Sequence, residues 1–358
     1  MSRPEAAPRP LRILYLGWRR DEWRTLLRTS SRVQPVEIDL RIREGGWFEP
    51  GRRFLSAIKR AGELAPDLIL AESIGVEGLA GLLLRKLTGA PLAVRLKGDP
   101  WAEAEERAVA GRPAHRLSRR LNFFSASKIL ESADGVFPIA PHLSAIAGGK
   151  IRDDAFVKVV PNACLSPKGG EAPPVTGETF LLSVTNFHYR KKIEPLLRCI
   201  PLLAPLLEEL DLEWTILGDG QHFEESRKRF ARFERRVRLA GWRESLPFYR
   251  QNPIVLYLSG LDGLPSALLE AAGAGLAIIV NRGSPAEGFV QNETTGLVVD
   301  LDDPVALPAA LRRLVCDAAL RKRLGRAASL RVRENFSEKA VRTQIESALE
   351  GFLAFRRP

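Results

Sequence analysis

IVLYLSGLDGLPSALLEAAGAG, residues 254–275, reads as a buried strand, a glycine-containing turn and an apolar helix in immediate succession. A continuous apolar run bounded by turn residues suits a strand buried on both faces, and such strands occur in parallel sheets covered by helices. Pro265 suits the first turn of the helix, and Gly273 and Gly275 mark its end. Asp262 then lies in the loop just before the helix, with Glu270 about 7 Å further along the axis at roughly 1.5 Å per residue. The backbone N–H groups around 263–266 form an anion site between the two carboxylates. A phosphate cradle flanked by two hydroxyl acceptors suits a nucleotide-sugar better than a bare nucleotide. Glu270 sits among Leu268, Leu269, Ala271 and Ala272, so a purely solvated role fits it poorly.

Similar runs occur on both sides of this stretch. Toward the N-terminus they fall at LRILYLG (11–17), 36–40, 67–71, 91–96, 135–139 and 156–160, with helix-period segments such as 52–64 and 76–88 between them. The alternation breaks at CLSPKGGEAPPVTGE (164–178), rich in Gly and Pro, and restarts at 180–186, 213–220, 237–241, 254–260, 276–283 and 296–300. The last 50 or so residues (303–314, 317–334, 337–355) are helical in period. The expected architecture is α/β, with two doubly wound Rossmann-like domains facing across a cleft. They occupy 1–165 and 179–336, joined by a linker at 166–178, and a C-terminal helix at 337–358 returns toward the N-terminal domain.

Composition narrows the function classes. The 358 residues are 45% hydrophobic and 27% charged, a globular balance that excludes wholesale disorder. Cys164, Cys199 and Cys316 lie far apart, and His115, His142, His188 and His222 show no H-E-x-x-H spacing, so no metal site is expected. The opening MSRPEAAPRP lacks the apolar core of a signal peptide, and LAGLLL (79–84) is cut short by Arg85 and Lys86. A cytoplasmic protein is expected. The net charge of +11 is uneven, with +8 in residues 1–165 and +3 in 166–358. The excess concentrates at Arg19, Arg20, Arg24, Arg28, Arg32, Arg41 and Arg43, and again at 107–128, where Arg107, Arg112, Arg116, Arg119, Arg120 and Lys128 accompany Phe123 and Phe124. Basic residues interleaved with aromatics suit an anionic membrane surface at the inner face of the plasma membrane; a solvated basic face is the alternative. No helix-turn-helix, RNP or KH element accompanies the basic charge, so no nucleic-acid partner is expected.

Gly218 and Gly220 in TILGDG (215–220) form a G-x-G turn, but Phe223 breaks G-x-G-x-x-G, which argues against a dehydrogenase. His142, after the strand at 135–139, reads as a helix-start residue.

DGLPSALLEA (262–271) resembles the E-x7-E element of the retaining glycosyltransferases of family 4, with Asp262 one methylene shorter than the usual glutamate. VVPN (159–162) is similar to that family's V-I-P-N signature, LLSVTNFHYRKK (181–192) to its S-V-G-R-L…K-G element, and TILGDG to its strand and G-x-G turn. NRGSPAEGFVQNETTGLVVDLDDPVAL (281–307) resembles the stretch that turns back under the nucleotide. The resemblance is continuous over about 160–335 and thinner over 1–159.

The resemblance implies the GT-B fold and metal-independent transfer of a sugar from a nucleotide-diphospho-sugar, with retention of configuration, to a saccharide or lipid-linked acceptor of a cell-envelope pathway. No cofactor is implied beyond the donor substrate. Glu270 would bind the ribose hydroxyls, Asp262 the transferred sugar, and Gly263, Leu264, Pro265 and Ser266 would surround the phosphates. Lys191 aligns with the diphosphate-binding lysine. Asn186 stands where the family has an arginine, a loss that weakens leaving-group stabilisation unless Arg190 or Lys192 substitutes, and Lys191 is expected to be the main cation at the departing diphosphate. Lys97 aligns with a histidine near the sugar, with Asp99 beside it; Asp99-Pro100 equally suits a turn. Gly17 and Trp18 fall at the loop under the donor phosphates. The alternative is a non-catalytic carbohydrate- or membrane-binding protein on the same fold, motivated by Asn186, Asp262 and the missing histidine.

Overall fold

A computed structural model describes residues 9–17, 22–38, 58–59, 62–109, 113–165 and 180–356, with the side chains of Glu22, Ile38, 107–109 and 113–122 outside that description. Trp18, the linker at 166–178, Arg19, Arg20, Arg41, Arg43 and Arg112 lie outside the described residues, as do the side chains of Arg107, Arg116, Arg119 and Arg120. The chain divides into two compact units: residues 1–101, 116–161 and 341–358 form unit 1, and 102–115 with 162–340 form unit 2.

Unit 1 is built on six parallel strands: β1 (Leu11–Leu16), β2 (Val33–Ile38), β3 (Leu68–Ala71), β4 (Leu92–Leu96), β5 (Gly135–Pro138) and β6 (Phe156–Val157), in the order β2-β1-β3-β4-β5-β6. The central strands are buried along their whole length, as their largely apolar runs suggest, with Arg95 of β4 buried among them. Strand β2 begins three residues earlier than its apolar run suggested, because Pro35 is tolerated on an edge strand, where one side needs no ladder hydrogen bond. The helices are α1 (Glu22–Arg28), α2 (Val76–Thr88), α3 (Pro100–Val109), α4 (Pro113–Ser132) and α5 (Pro141–Ala147), of which α3 runs on into unit 2.

Unit 2 repeats the plan with β7 (Leu181–Val184), β8 (Trp214–Leu217), β9 (Val237–Gly241), β10 (Ile254–Tyr257), β11 (Ile278–Asn281) and β12 (Leu297–Val299). Their order is β12-β11-β10-β7-β8-β9, again all parallel. Its helices are α6 (Arg190–Glu209), α7 (Phe223–Arg229), α8 (Leu246–Tyr249), α9 (Ser266–Gly273), α10 (Ala306–Cys316) and α11 (Ala318–Asn335). The core gathers Trp214, Ile216, Ile254, Leu256 and Ile279 of the sheet beneath Ile193, Leu196, Ile200 and Leu203 of α6. One buried hydrogen-bond chain crosses three strands: Trp214 Nε1 donates to Ser183 Oγ at 3.0 Å, and Ser183 Oγ donates to the Leu256 carbonyl at 2.7 Å. Buried polar atoms paired this way fix register as well as satisfying themselves.

The last helix, α12 (Glu338–Phe355), runs from unit 2 into unit 1. There Phe352 packs edge-on against Phe137 and Phe156, with ring centroids 6.4 and 5.9 Å apart. Arg356 reaches the buried Asp134 at 2.9 Å, which Arg85 also clamps at 2.7 Å.

Candidate functional site

Strand β7 pairs with both β8 and β10, so the direction of winding reverses there, and the carboxyl ends of β7 and β10 border an open crevice. A cavity of about 860 Å³ occupies it. Its walls are the segments that follow four strands: Val184–Asn186 after β7, Gly218–Gly220 after β8, Trp242–Leu246 after β9, and Asp262 with Leu264–Ala267 and Glu270 after β10.

Close approach of the first two segments depends on Gly218. Its φ is +144°, and an added Cβ would lie 1.8 Å from the Thr185 carbonyl oxygen. The G-x-G turn here packs loop on loop, with the Phe187 amide donating to the Asp219 carbonyl at 2.9 Å. Asn186 lines the cavity, where its Oδ1 accepts weakly from the His188 amide at 3.4 Å.

Of the consecutive cations Arg190, Lys191 and Lys192, the one that lines the cavity is Lys192, and this corrects the placement expected for Lys191; Arg243, after β9, lines the same cavity. Lys192 Nζ lies 2.9 and 2.7 Å from the two oxygens of Asp262, with both side chains largely buried. Lys191 points away, half-exposed, toward Glu105 at 3.1 Å. Arg190, exposed beside Glu225 at 3.3 Å, does not line the cavity either. Helix periodicity is the cause: Lys192 lies four residues before the buried Leu196 and seven before the buried Cys199, whereas Lys191 shares its face with the exposed Glu194 and Arg198.

Pro195 completes the docking of the β10 loop. Without an N–H it leaves the Lys191 carbonyl unclaimed within the helix, and Gly260 packs against that carbonyl so closely that a Cβ would lie 2.3 Å from it. The Gly260 amide donates to the Lys192 carbonyl at 3.4 Å. Asn281 at the end of β11 holds the same loop, accepting from the Ser259 amide at 2.9 Å.

Helix α9 begins at Ser266, so Pro265 is its extended N-cap (φ −73°, ψ 130°) and not a first-turn residue. Pro265 accepts from the Leu268 and Leu269 amides, and its own nitrogen carries no hydrogen. Leu264, Pro265, Ser266 and Ala267 line the cavity; Gly263 is buried and does not. Asn162 of the VVPN stretch braces this turn by donating to the Leu264 carbonyl at 3.2 Å. Glu270 lines the cavity one turn up, where Ser245 Oγ donates to it at 3.0 Å. Burial raises the Glu270 carboxyl above the ordinary glutamate range, and the Ser245 hydrogen bond partly opposes that.

In unit 1, Gly17 follows β1 and lies against Glu72. Lys97, after β4, pairs with Glu72 at 2.5 Å. Asp99 accepts from the Trp101 amide at 3.0 Å in the turn that opens α3. Glu72 escaped the sequence reading, as did Tyr257, Ser245, Asn281 and the exposed Trp242. Tyr257 and Asn281 close strands β10 and β11 inside stretches singled out for other residues, Glu72 and Trp242 directly follow β3 and β9, and Ser245 caps the short helix after β9; the one available signal was their place at or just beyond a strand end.

Residues 178–317 match the family described as Glycosyl transferases group 1. The chain is 24% identical over 219 residues to a putative glycosyltransferase of a virus (isolate Australia/Victoria), covering 60% of this chain and 65% of that protein. It is 36% identical over 107 residues to the lipopolysaccharide core biosynthesis glycosyltransferase LpsD of Rhizobium meliloti, covering 30% of this chain and 31% of the relative. These matches thus span less than two thirds of either relative. Among solved structures, sucrose-phosphate synthase from Thermosynechococcus elongatus aligns with a TM-score of 0.73 at 18% identity, over 96% of this chain and 99% of that one. HepE from Anabaena, in complex with UDP and glucose, aligns with a TM-score of 0.69 at 15% identity, over 95% and 99% of the two chains. The chain therefore has the GT-B fold, and residues 178–317 of unit 2 are similar to the glycosyl transferases group 1.

Proposed function

We propose that the protein is a glycosyltransferase that moves a sugar from a nucleotide-diphospho-sugar to a saccharide or lipid-linked acceptor, with retention of configuration and without a resident metal ion. The observation that carries the reading is the buried Lys192 at a cavity that the start of α9 and the Glu270 carboxylate also line. An ammonium and the positive end of a helix are suited to a diphosphate, and they strengthen their hold as charge develops on the departing group. Glu270 is assigned to the ribose hydroxyls, and the exposed Trp242 offers an aromatic face at the same cavity. The UDP and glucose bound to HepE support a UDP-sugar donor for this chain, and the lipopolysaccharide relative supports an envelope acceptor.

We further propose that unit 1 meets an anionic membrane surface. Support comes from α2, where Val76, Leu79, Leu83 and Leu87 form an exposed apolar stripe beside the exposed Lys86, and from the net charge of +8 in residues 1–165. Among the described residues no helix is long and apolar enough to cross a membrane.

A thermal-shift screen with UDP, GDP, ADP and dTDP and their sugars tests the donor assignment, since a ligand at 100 times its Kd adds about 2.7 kcal/mol. NMR of the product then reads the anomeric configuration, and equal turnover in EDTA is expected for a metal-free reaction. A protein that binds a nucleotide-sugar but neither hydrolyses nor transfers it would be a binding protein on this fold.

A further inference from the structure

Asp262, the carboxylate that the family resemblance assigns to the sugar, is heavily engaged within the chain. Both of its oxygens lie within 3 Å of Lys192 Nζ, at 2.9 and 2.7 Å. The Tyr257 hydroxyl donates to Oδ2, and Ser259 Oγ lies 3.4 Å from the same oxygen. Tyr257 closes strand β10 and is buried, so its phenol is held by the sheet; Ser259 is buried and fixed through Asn281. One ammonium and two hydroxyls take up much of what a carboxylate can accept. The short aspartate arm keeps the carboxylate near the strand end, within reach of the phenol. Burial and the adjacent Asp262 hold the Tyr257 phenol well above its ordinary range, so it stays a proton donor at any working pH.

We propose that Tyr257 and Asp262 are positioning residues for Lys192: the phenol pins the carboxylate, the carboxylate pins the ammonium, and the group whose binding depends on them is the diphosphate of the donor. The inference rests on reading the cavity as a nucleotide-sugar site. A free lysine must be ordered when its ligand arrives, and a lysine already held at the cavity wall avoids that cost.

Titration calorimetry on the full-length wild type, Tyr257→Phe, Asp262→Asn and the double variant tests this. The probes are UDP, GDP, ADP and dTDP, and then the matching nucleoside of whichever binds. Each single variant should bind the diphosphate roughly five- to tenfold more weakly, the cost of ordering one long side chain. The double variant should bind no more weakly than Asp262→Asn, because both changes release the same lysine. Nucleoside affinity should not move, a result that a general loosening of the fold would not give. Wild-type diphosphate affinity in Tyr257→Phe would overturn the inference, and so would an equal loss for the nucleoside. Tighter diphosphate binding by Asp262→Asn would show that Asp262 competes for Lys192, which also overturns it. If Tyr257→Phe does not fold, Asp262→Asn alone decides by the same comparison of diphosphate with nucleoside. A wild type that binds none of the four diphosphates overturns the donor reading itself, a failure distinct from the others.

Discussion

Replacing Lys192 and Lys191 separately by alanine gives the sharpest test of the site. The two lysines are adjacent in sequence, yet the side chain of Lys192 is 9% exposed against Asp262 and that of Lys191 is 52% exposed against Glu105. An exposed pair contributes about 0–1 kcal/mol, so Lys191→Ala should leave stability nearly unchanged. Breaking a fully buried pair costs about 3–5 kcal/mol, because the remaining charge is stranded. Asp262 keeps Tyr257 and Ser259 as donors and is not wholly buried, so about 2 kcal/mol is the reasonable figure for Lys192→Ala. For a unit of this size that lowers the melting midpoint by roughly 4–8 °C. Removing a preorganised donor from developing charge costs about 100-fold or more in kcat. Lys192→Ala should show that loss in kcat and kcat/KM together, with Lys191→Ala and Arg190→Ala close to wild type. The assay is nucleotide release from the donor identified by the thermal-shift screen, run beside a melting curve for each variant. If Lys191→Ala loses 100-fold while Lys192→Ala turns over normally, the helix register argued here is wrong.

Glu270→Gln should stabilise the ligand-free protein at neutral pH. A carboxyl with a raised folded-state pKa binds more protons folded than unfolded, so stability falls as pH rises from the ordinary glutamate range through the raised value. The glutamine gain should therefore vanish in melts below about pH 4, where both states are protonated; a gain that persists there would point to packing instead. Glu270→Ala should abolish nucleotide-dependent stabilisation, and undiminished binding would remove Glu270 from the ribose. Gly218→Ala should disrupt the meeting of the β7 and β8 loops, seen as lost nucleotide binding with a lowered melting midpoint; a fully active variant would contradict the 1.8 Å approach. Leu79→Ser with Leu83→Ser should release the protein from anionic vesicles without changing nucleotide binding, as should Arg116, Arg119 and Arg120 changed together to Gln, at about 1 kcal/mol per arginine near the surface. Vesicle binding that survives both sets would leave α2 and 107–128 as solvated faces.

The sequence by itself determined the two parallel sheets, because strands buried on both faces are largely apolar, and each such run stands out between turn residues. It also located the cavity-lining loops, since ligands of these sheets meet the carboxyl ends of strands, and it singled out Asp262, Glu270, Gly218 and Asn186 within them. Only the tertiary structure decided which of Arg190, Lys191 and Lys192 enters the cavity. Three consecutive cations look alike in a motif, and the choice falls to the angle at which α6 meets the sheet, set by Leu196 and Cys199 beneath it and by Gly260 against the carbonyl opposite Pro195. The partners Tyr257, Ser245 and Asn281 belong to the same level. Each comes from a different stretch of chain, and a hydrogen bond between residues 25 apart, as between Ser245 and Glu270, leaves no periodic trace in sequence because it depends on where strand ends converge in space.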